Sequence, residues 1–241
     1  REAAARQVAK LAKKGRKVEP ISIVGRAIAR TFWGKAWCDG LERHSDFENR
    51  LPRGRTYVRN GSVVDLRIAE GLVEAMVSGS DMYDVKVRFR KISRNRWDGV
   101  REACAGHIDS VVELLQGKLS GGVMEILTAR ETGLFPAPNE IEMHCSCPDW
   151  ATMCKHVAAV LYGIGARLDT RPELLFVLRG ADQTELVVQA AAGSALVGAA
   201  RAAEAMDSQE MERVFGIEID GGAAAAPGAA GAAGAAETVP E

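Results

Sequence analysis

The sequence of 241 residues has little of several features that would place it at once in a class of protein. It has no run of eighteen uncharged apolar residues, so no membrane span is expected. Its first residues, Arg-Glu-Ala-Ala-Ala-Arg, lack the apolar segment of a signal peptide. It also lacks a glycine-rich phosphate loop, a nucleophile elbow and a His-Glu-x-x-His motif. We therefore expect a protein that is not an enzyme.

Cysteine is scarce, and its distribution speaks against a disulfide framework. Three of the five cysteines fall within ten residues, which leaves only Cys38 and Cys104 elsewhere. Such clustering is typical of metal ligands in a reducing compartment rather than of a secreted scaffold. The sequence therefore predicts a cytoplasmic protein, in which Cys38, Cys104 and the isolated His107 are structural.

Charge is balanced overall at −1, but it is unevenly distributed along the chain. Residues 1–60 hold 15 Lys and Arg against 6 Asp and Glu, a net of +9, whereas residues 121–241 hold 7 against 17, a net of −10. Residues 1–60 are thus a candidate for contact with a polyanion. The alternatives are an ordinary solvated basic face and a basic front that docks on the acidic rear.

Four potential metal ligands lie in one short segment. One residue separates the two members of each pair, and six residues separate the pairs; the ligands are Cys145, Cys147, Cys154 and His156. Thiolates with an imidazole are a donor set that holds Zn²⁺ tetrahedrally, and a Cys-x-Cys pair cannot easily bridge itself. The pattern therefore predicts one structural zinc ion. The alternatives are chance core residues or a redox pair.

The second ligand pair precedes an apolar stretch that predicts a helix from Met153 to Leu161, with Asp149 or Thr152 as its N-cap. Cys154 and His156 would then lie in the first turn, where the helix dipole lowers the pKa of a thiol. A short strand should deliver Cys145 to the site. His144 is a competing ligand, but neighbouring strand residues point to opposite faces, so it should point away.

The four ligands, followed by an apolar helix, resemble the SWIM zinc finger; the helix contributes Val157, Ala158, Val160 and Leu161. SWIM modules are associated with SWI/SNF-class helicase-like ATPases, Mu-type transposases and some signalling proteins, and they are taken to bind DNA or other proteins. The resemblance therefore implies a nucleic acid as partner, with DNA preferred over RNA, and a helicase-like ATPase as a second partner.

A wider resemblance involves a Trp-Gly-Lys-Ala-Trp block at 33–37 and an Arg-Gly-Arg-Thr-Tyr block at 53–57. Upstream of the finger they resemble blocks of the bacterial SWIM zinc finger family protein, over residues 32–180, and the resemblance assigns them no function. Trp33 and Trp37 are spaced i and i+4 on one helix face, which favours a core position over a base-stacking platform.

Alternation with period two predicts a four-stranded antiparallel meander between residues 57 and 89. Tyr57 and Val58 lead into Asn60-Gly61, a strong hairpin signal. The next three strands carry apolar residues at alternate positions: Val64, Leu66 and Ile68; Val73, Ala75 and Val77; Tyr83, Val85, Val87 and Phe89.

Basic residues alternate on two of these predicted strands, with Arg53, Arg55 and Arg59 on the first and Lys86, Arg88 and Arg90 on the last. Together they are candidates for a nucleic-acid-binding stripe that contacts phosphates. The alternative is a charged strand face that keeps the sheet in solution and protects its edge.

The pattern as a whole predicts an α+β protein made of successive units. They are a basic tail (1–20), an antiparallel β domain (21–92), a helical connector (93–136), a SWIM-type finger (137–170), C-terminal helices (171–216) and an Ala/Gly-rich disordered tail (217–241). Helices are predicted at 95–104, 108–118, 122–131, 195–206 and 209–215. Caps are expected at Thr170–Glu173 and at Asp182–Glu185.

Two functions from different classes follow. The first is a zinc-binding accessory protein that binds nucleic acid together with a helicase-like ATPase. The second is a protein-interaction scaffold whose finger docks a partner without touching nucleic acid. Salt discriminates between them, because phosphate contacts weaken steeply as salt rises and an apolar docking surface does not.

Overall fold

The computed structural model describes residues 2–13, 15, 17–43, 50–105, 120–189 and 192. The elements are α1 (Glu2–Lys13), α2 (Phe32–Glu42), α3 (Leu51–Arg59), β1 (Val63–Ala69), β2 (Leu72–Ser78), β3 (Met82–Phe89), α4 (Arg94–Ala105), α5 (Gly121–Thr128), β4 (Ile141–Cys145), α6 (Lys155–Leu168) and α7 (Leu174–Arg179). A 3₁₀ turn, Pro138–Glu140, precedes β4, and residues 184–189 are helical. The predicted α+β class is confirmed.

The four strands form one antiparallel sheet in the order β1-β2-β3-β4. Burial alternates along β3, so this strand has one covered face and one exposed face, whereas residues 63–66 of β1 are all buried. The fourth strand is the short one predicted before Cys145, and it pairs Val85 with Cys145 and Phe89 with Ile141. The segment that carries the first two potential ligands is therefore an edge strand of the main sheet.

The prediction that Tyr57 and Val58 begin the first strand is wrong, because residues 51–59 form the helix α3. Leu51, Gly54 and Val58 are buried, at spacings of three and four that bring them to one helix face. Pro52 stands in the first turn of α3, where a backbone N–H has no acceptor within the helix. The N–H that proline lacks therefore costs the helix no hydrogen bond.

The Asn60-Gly61 pair ends this helix instead of turning a hairpin. Asn60 is the C-cap, and Gly61 follows with a φ of 72°, a conformation that favours glycine after a helix. The same dipeptide serves either purpose, so only the packing of α3 decides between them. The alternating strand positions predicted for Arg53, Arg55 and Arg59 are consequently wrong as well.

Helix α6 lies at the centre of the molecule. It packs on the covered face of the sheet, contacts all four strands, and is flanked by α2 and α3. Eleven of its fourteen residues are buried, and the indole Nε1 of Trp37 in α2 donates a hydrogen bond of 2.8 Å to the carbonyl of Leu161. Trp33 and Trp37 are both buried, which confirms the prediction that they are core residues.

One hydrophobic cluster extends from Ile21 to Leu186 and includes residues of the sheet, of α2 to α7 and of the finger segment. The sequence analysis separated the β domain (21–92) from the finger (137–170). The two share one core, because β4 completes the sheet and α6 covers it. Residues 137–170 therefore contribute β4 and α6 to the hydrophobic core of the described fold.

The remaining helix predictions are partly confirmed. Helix α4 matches the predicted 95–104, and α5 matches 122–131 except that it ends at Thr128. Asp182 accepts a hydrogen bond from the Thr184 N–H as expected. The cap expected at Thr170–Glu173 is wrong, because Glu173 itself is the N-cap of α7 and its side chain makes no capping hydrogen bond. The predicted helices 108–118, 195–206 and 209–215, the tail 217–241 and His107 lie outside the described residues.

Candidate metal centre

The four predicted ligands come together at the junction of β4 and α6. Cys145 is the last residue of β4, and Cys147 follows in the loop. Cys154 is the N-cap of α6 and His156 its second residue, so neither Asp149 nor Thr152 caps the helix. The helix therefore begins two residues later than predicted, and Cys154 and His156 still lie at its N-terminal end.

The geometry of the four side chains suits a single ion. One ligand atom from each residue can be chosen so that all four lie within 4.8 Å of one another. The Nδ1 atom of His156 is 3.8 Å from the Sγ of Cys145 and 3.9 Å from the Sγ of Cys154. Ligands of a tetrahedral zinc ion stand about 3.5 to 3.8 Å apart. The group could therefore hold a metal ion.

Two aromatic rings fix the His156 imidazole, which is 3% exposed. Tyr83 of β3 stacks on it with ring centres 4.3 Å apart, and Tyr57 of α3 meets it edge-on at 5.3 Å. A Cβ at Gly79 would come within 3.1 Å of Nε2, so the small residue leaves room for the ring. Within the described part of the chain Nε2 has no hydrogen-bond partner, whereas Nδ1 faces the sulfurs.

The thiols influence one another strongly. A hydrogen bond from Cys145 lowers the pKa of Cys154, and further hydrogen bonds, including one with His156, lower it more than burial raises it. The same Cys145–Cys154 hydrogen bond, together with burial, raises the pKa of Cys145. The site thus stabilises a thiolate at Cys154, the form in which cysteine binds metals.

The beginning of the loop between the ligand pairs is held by contacts to two other elements. The backbone N–H of Ser146 donates to the Asp84 carbonyl at 3.0 Å, and the Asp84 N–H donates to the Ser146 hydroxyl at 3.0 Å. Further along, the Asp149 carboxylate forms an ion pair of 3.1 Å with Arg50, the residue that precedes α3. The sheet and α3 therefore both position the loop.

Among the described residues, His144 and the cysteines outside the group, Cys38 and Cys104, stay apart from this centre. His144 is exposed and lies opposite Lys86 on the neighbouring strand, which confirms that it points away from the ligands. Cys38 and Cys104 are buried as free thiols. Burial raises the pKa of Cys38 to about 12, with Glu42 adding to the rise, and raises that of Cys104 to about 11.

The six candidate phosphate contacts do not form one stripe. Arg53, Arg55 and Arg59 lie on α3, which packs on α6 on the covered side of the sheet. Lys86, Arg88 and Arg90 follow the exposed positions of β3. The two groups therefore stand on different sides of the sheet. Whether either contacts nucleic acid stays a prediction.

Charges on the exposed face of the sheet largely compensate one another. Lys86 forms an ion pair of 2.8 Å with Glu74, and Arg88 lies opposite Glu142. On α3, Arg55 pairs with Glu42 at 3.2 Å, whereas Arg53 is exposed. The strand face is thus mixed in charge, and the more cationic surface is that of α3.

Sequence reasoning missed the residues that surround the ligands. Tyr57 and Tyr83 hold the imidazole, and Arg50 holds the loop through Asp149. Trp150, between the ligand pairs, is 97% exposed. The polar residues Asp149 and Thr152 beside it were the feature of the sequence that could have indicated this exposure. Nothing in the sequence indicated the tyrosine contacts, since these depend on the packing of α3 and β3 on α6.

Fold and site together define an α+β protein with a Cys₃His group that could hold a metal ion. Over 181 residues the chain is 34% identical to Rv2102 of Mycobacterium tuberculosis, described as an uncharacterized protein. The match covers 74% of this chain, and the chain spans 65% of that relative's length. No protein-family model and no solved structure matches the chain, so the SWIM resemblance stays a prediction.

Among the described helices, none has both the length and the apolar character that a membrane span requires.

Proposed function

We propose that the protein is a zinc-binding accessory protein of the cytoplasm that binds nucleic acid, DNA in preference to RNA, together with a SWI/SNF-class helicase-like ATPase. The observation that carries this proposal is the compact Cys₃His group at the N-terminus of α6. Three sulfurs and one imidazole nitrogen form a borderline-soft donor set, for which zinc is the expected ion. The ATPase partner rests on the SWIM resemblance alone.

The proposed ion is structural, and the protein is not an enzyme. A catalytic zinc keeps one coordination position open for water, whereas four protein ligands complete a tetrahedron. His156 is buried between two tyrosines and Cys154 is 1% exposed, which supports a closed site. The ion would tie β4 and the following loop to the start of α6.

A cationic surface beside the finger supports nucleic acid as the partner. Helix α3 carries Arg53, Arg55 and Arg59. Its contacts with the finger include the ion pair between Arg50, just before the helix, and Asp149, and the packing of Tyr57 against His156. Phosphate contacts of this kind position a nucleic acid without reading its sequence. The zinc would therefore stabilise the surface that binds.

Metal analysis tests the first half of the proposal. Protein purified under reducing conditions without chelator should contain one zinc per chain, and chelation should raise hydrogen exchange in residues 145–156. Replacing Cys147 by Ala should lower the zinc content, while Cys104→Ala, a buried cysteine outside the group, should leave it at one. A zinc content near zero in the wild type would overturn the structural-zinc assignment.

Binding across a salt series tests the second half. Single-stranded, double-stranded and structured DNA and RNA should be compared, and affinity should fall with a log-log slope of about −0.9 per neutralised phosphate. Arg53→Glu should weaken binding for every sequence and flatten the slope by about one. The matched control is Lys86→Glu with Arg88→Glu, on the mixed-charge face of the sheet, which should bind as the wild type does. Absence of binding at low salt would refute the proposal.

A second candidate, a protein-interaction scaffold, is favoured by a cleft of about 710 Å³ between α2 and residues 128–138. Its lining combines Phe32, Trp37 and Phe135 with charged residues such as Arg43 and Arg130, and Phe32 is 39% exposed. A partner docked on the apolar part of this lining would bind with less dependence on salt than a nucleic acid, so the salt series separates the two functions.

A further inference from the structure

Trp150 differs from the other tryptophans of the chain. Trp33, Trp37 and Trp97 are 7%, 3% and 3% exposed, whereas Trp150 is 97% exposed. Because the Trp150 side chain is exposed to water, it contributes no free energy of burial to folding, and packing does not explain its position. It lies in the loop between the two pairs of potential metal ligands.

This loop is held from several directions. Cys147 and Cys154 bracket it, and the Asp149 carboxylate accepts a hydrogen bond from the Ala151 N–H at 3.3 Å. The same carboxylate pairs with Arg50, which fixes the loop against the start of α3. The indole therefore projects from a positioned backbone, and little conformational entropy would be lost when a ligand covers it.

Several cations belong to the segments that adjoin the loop. Arg50 precedes α3 and pairs with Asp149, and the exposed Arg53 lies in the first turn of the same helix. Lys155 begins α6 directly after Cys154, and its ammonium stands 5.6 Å from the ring centre of Tyr57 in α3. Proteins that bind single-stranded nucleic acid combine an exposed aromatic ring, which stacks on a base, with cations that contact the backbone.

We propose that Trp150 is a stacking platform for an unpaired base of single-stranded nucleic acid, whose phosphates contact Arg53 and Lys155. This inference rests on the proposed function and names its substrate class. A base inside a duplex presents its faces to its neighbours, so only an unpaired base can cover the indole.

The surroundings favour a nucleic acid over a protein partner. A tryptophan at the centre of a protein interface is surrounded by further apolar side chains. Among the described residues, the other large apolar side chains that are exposed belong to other segments: Val24, Phe32, Val177 and Val188. The ion pair that holds the Trp150 loop, Arg50 with Asp149, is instead charged.

The experiment uses fluorescence anisotropy of labelled oligo(dT) and oligo(rU) of fifteen nucleotides and of a blunt duplex, with the zinc-loaded full chain. Trp150→Ala should weaken binding to the single strands by about 5- to 150-fold, the range of one lost base stack, and leave the salt slope unchanged. Trp150→Phe should recover most of the affinity. Phe32→Ala, which removes an exposed aromatic at the start of α2, should bind as the wild type does.

Intrinsic fluorescence gives an independent readout. Of the four tryptophans only Trp150 is open to solvent, so oligo(dT) should quench the emission that iodide also quenches, and Trp150→Phe should abolish that effect. If the wild type binds but Trp150→Ala binds equally well, the platform is refuted and the proposed function stands. If the wild type binds no nucleic acid at low salt, the proposed function itself fails. Stronger binding to the duplex than to single strands would also overturn the platform.

Discussion

Arg179 is completely buried, and its charge is met by specific partners. Its guanidinium contacts both carboxylate oxygens of Glu140, at 3.0 and 3.1 Å, and donates to the carbonyl of Arg90. Arg96 pairs with the same carboxylate at 3.3 Å. Glu140 is the residue just before β4, so this pair fixes the start of the strand that ends in Cys145.

Replacing Glu140 by Gln should destabilise the protein by about 3 to 5 kcal/mol near pH 7, because the Arg179 guanidinium would stay buried without its countercharge. Urea unfolding of the two proteins gives the difference. The matched control is Glu173→Gln, which removes an exposed ion pair with Arg171 and should have little effect.

The effect of Glu140 should depend on pH. Burial raises the pKa of this carboxyl, but hydrogen bonds from the Ala137 N–H and from Arg179, and the charges of Arg179 and Arg96, lower it more. The native pKa is therefore below the unfolded one, so the stabilisation is complete above the unfolded value and is lost as pH falls through the native value. The advantage of the wild type over Glu140→Gln should shrink in acid. A difference that stays constant from pH 7 to 3 would contradict this.

At the scale of elements, α3 and α6 pack closely against each other at Gly54. A Cβ at this position would lie 2.5 Å from the Cβ of Ala158 and 2.8 Å from its carbonyl carbon. Two of the three nearest atoms belong to the backbone of α6, so this steric overlap could be removed only if one helix moved away from the other. The contact matters for the site, because α3 carries Tyr57 against His156.

Gly54→Ala should therefore destabilise the protein by about 1 to 3 kcal/mol through overpacking, despite the better helix propensity of alanine. Gly99 in α4 is the matched control, since a Cβ there meets nothing within 4 Å. Gly99→Ala should stabilise by about 0.5 to 1 kcal/mol. Thermal unfolding of both variants measures the change in stability. If both substitutions changed the stability in the same direction, α3 and α6 would not cross closely at Gly54.

At the scale of the described chain, one hydrophobic cluster joins the sheet to the candidate metal centre. Leu161 of α6 is fully buried, and its carbonyl accepts the Trp37 indole hydrogen bond. The sheet, α2 and the finger segment all contribute to the same hydrophobic cluster. These parts should unfold together.

Leu161→Ala should lower the free energy of unfolding by about 2 to 5 kcal/mol through the cavity it leaves. With zinc present, tryptophan fluorescence and hydrogen exchange of β2 and α6 should report one common transition. Val188→Ala, at a site 68% exposed, serves as the control with little change. Protection that persisted in β2 after its loss in α6 would show that the two regions have separate cores.

Local pattern alone was sufficient for part of this structure. The four ligands were predictable because metal chemistry requires particular residue types at close spacing, and the group Cys145, Cys147, Cys154 and His156 does come together. Strands β2 and β3 were predictable because their burial alternates along the chain, and β1 was predictable from its apolar spacing although its first four residues are all buried. The helix after the ligands was predictable from its apolar spacing.

Tertiary packing decided the rest. Residues 51–59 alternate like a strand, yet they form a helix because Gly54 allows a close crossing with α6. The partner of β4 is 52 or more residues away in the sequence, so no local pattern reveals that the finger completes the main sheet. The same long-range contacts placed the basic residues of α3 and those of β3 on different sides of the sheet. They also left Trp150 exposed to solvent, because the exposure of a side chain depends on which parts of the chain pack over it.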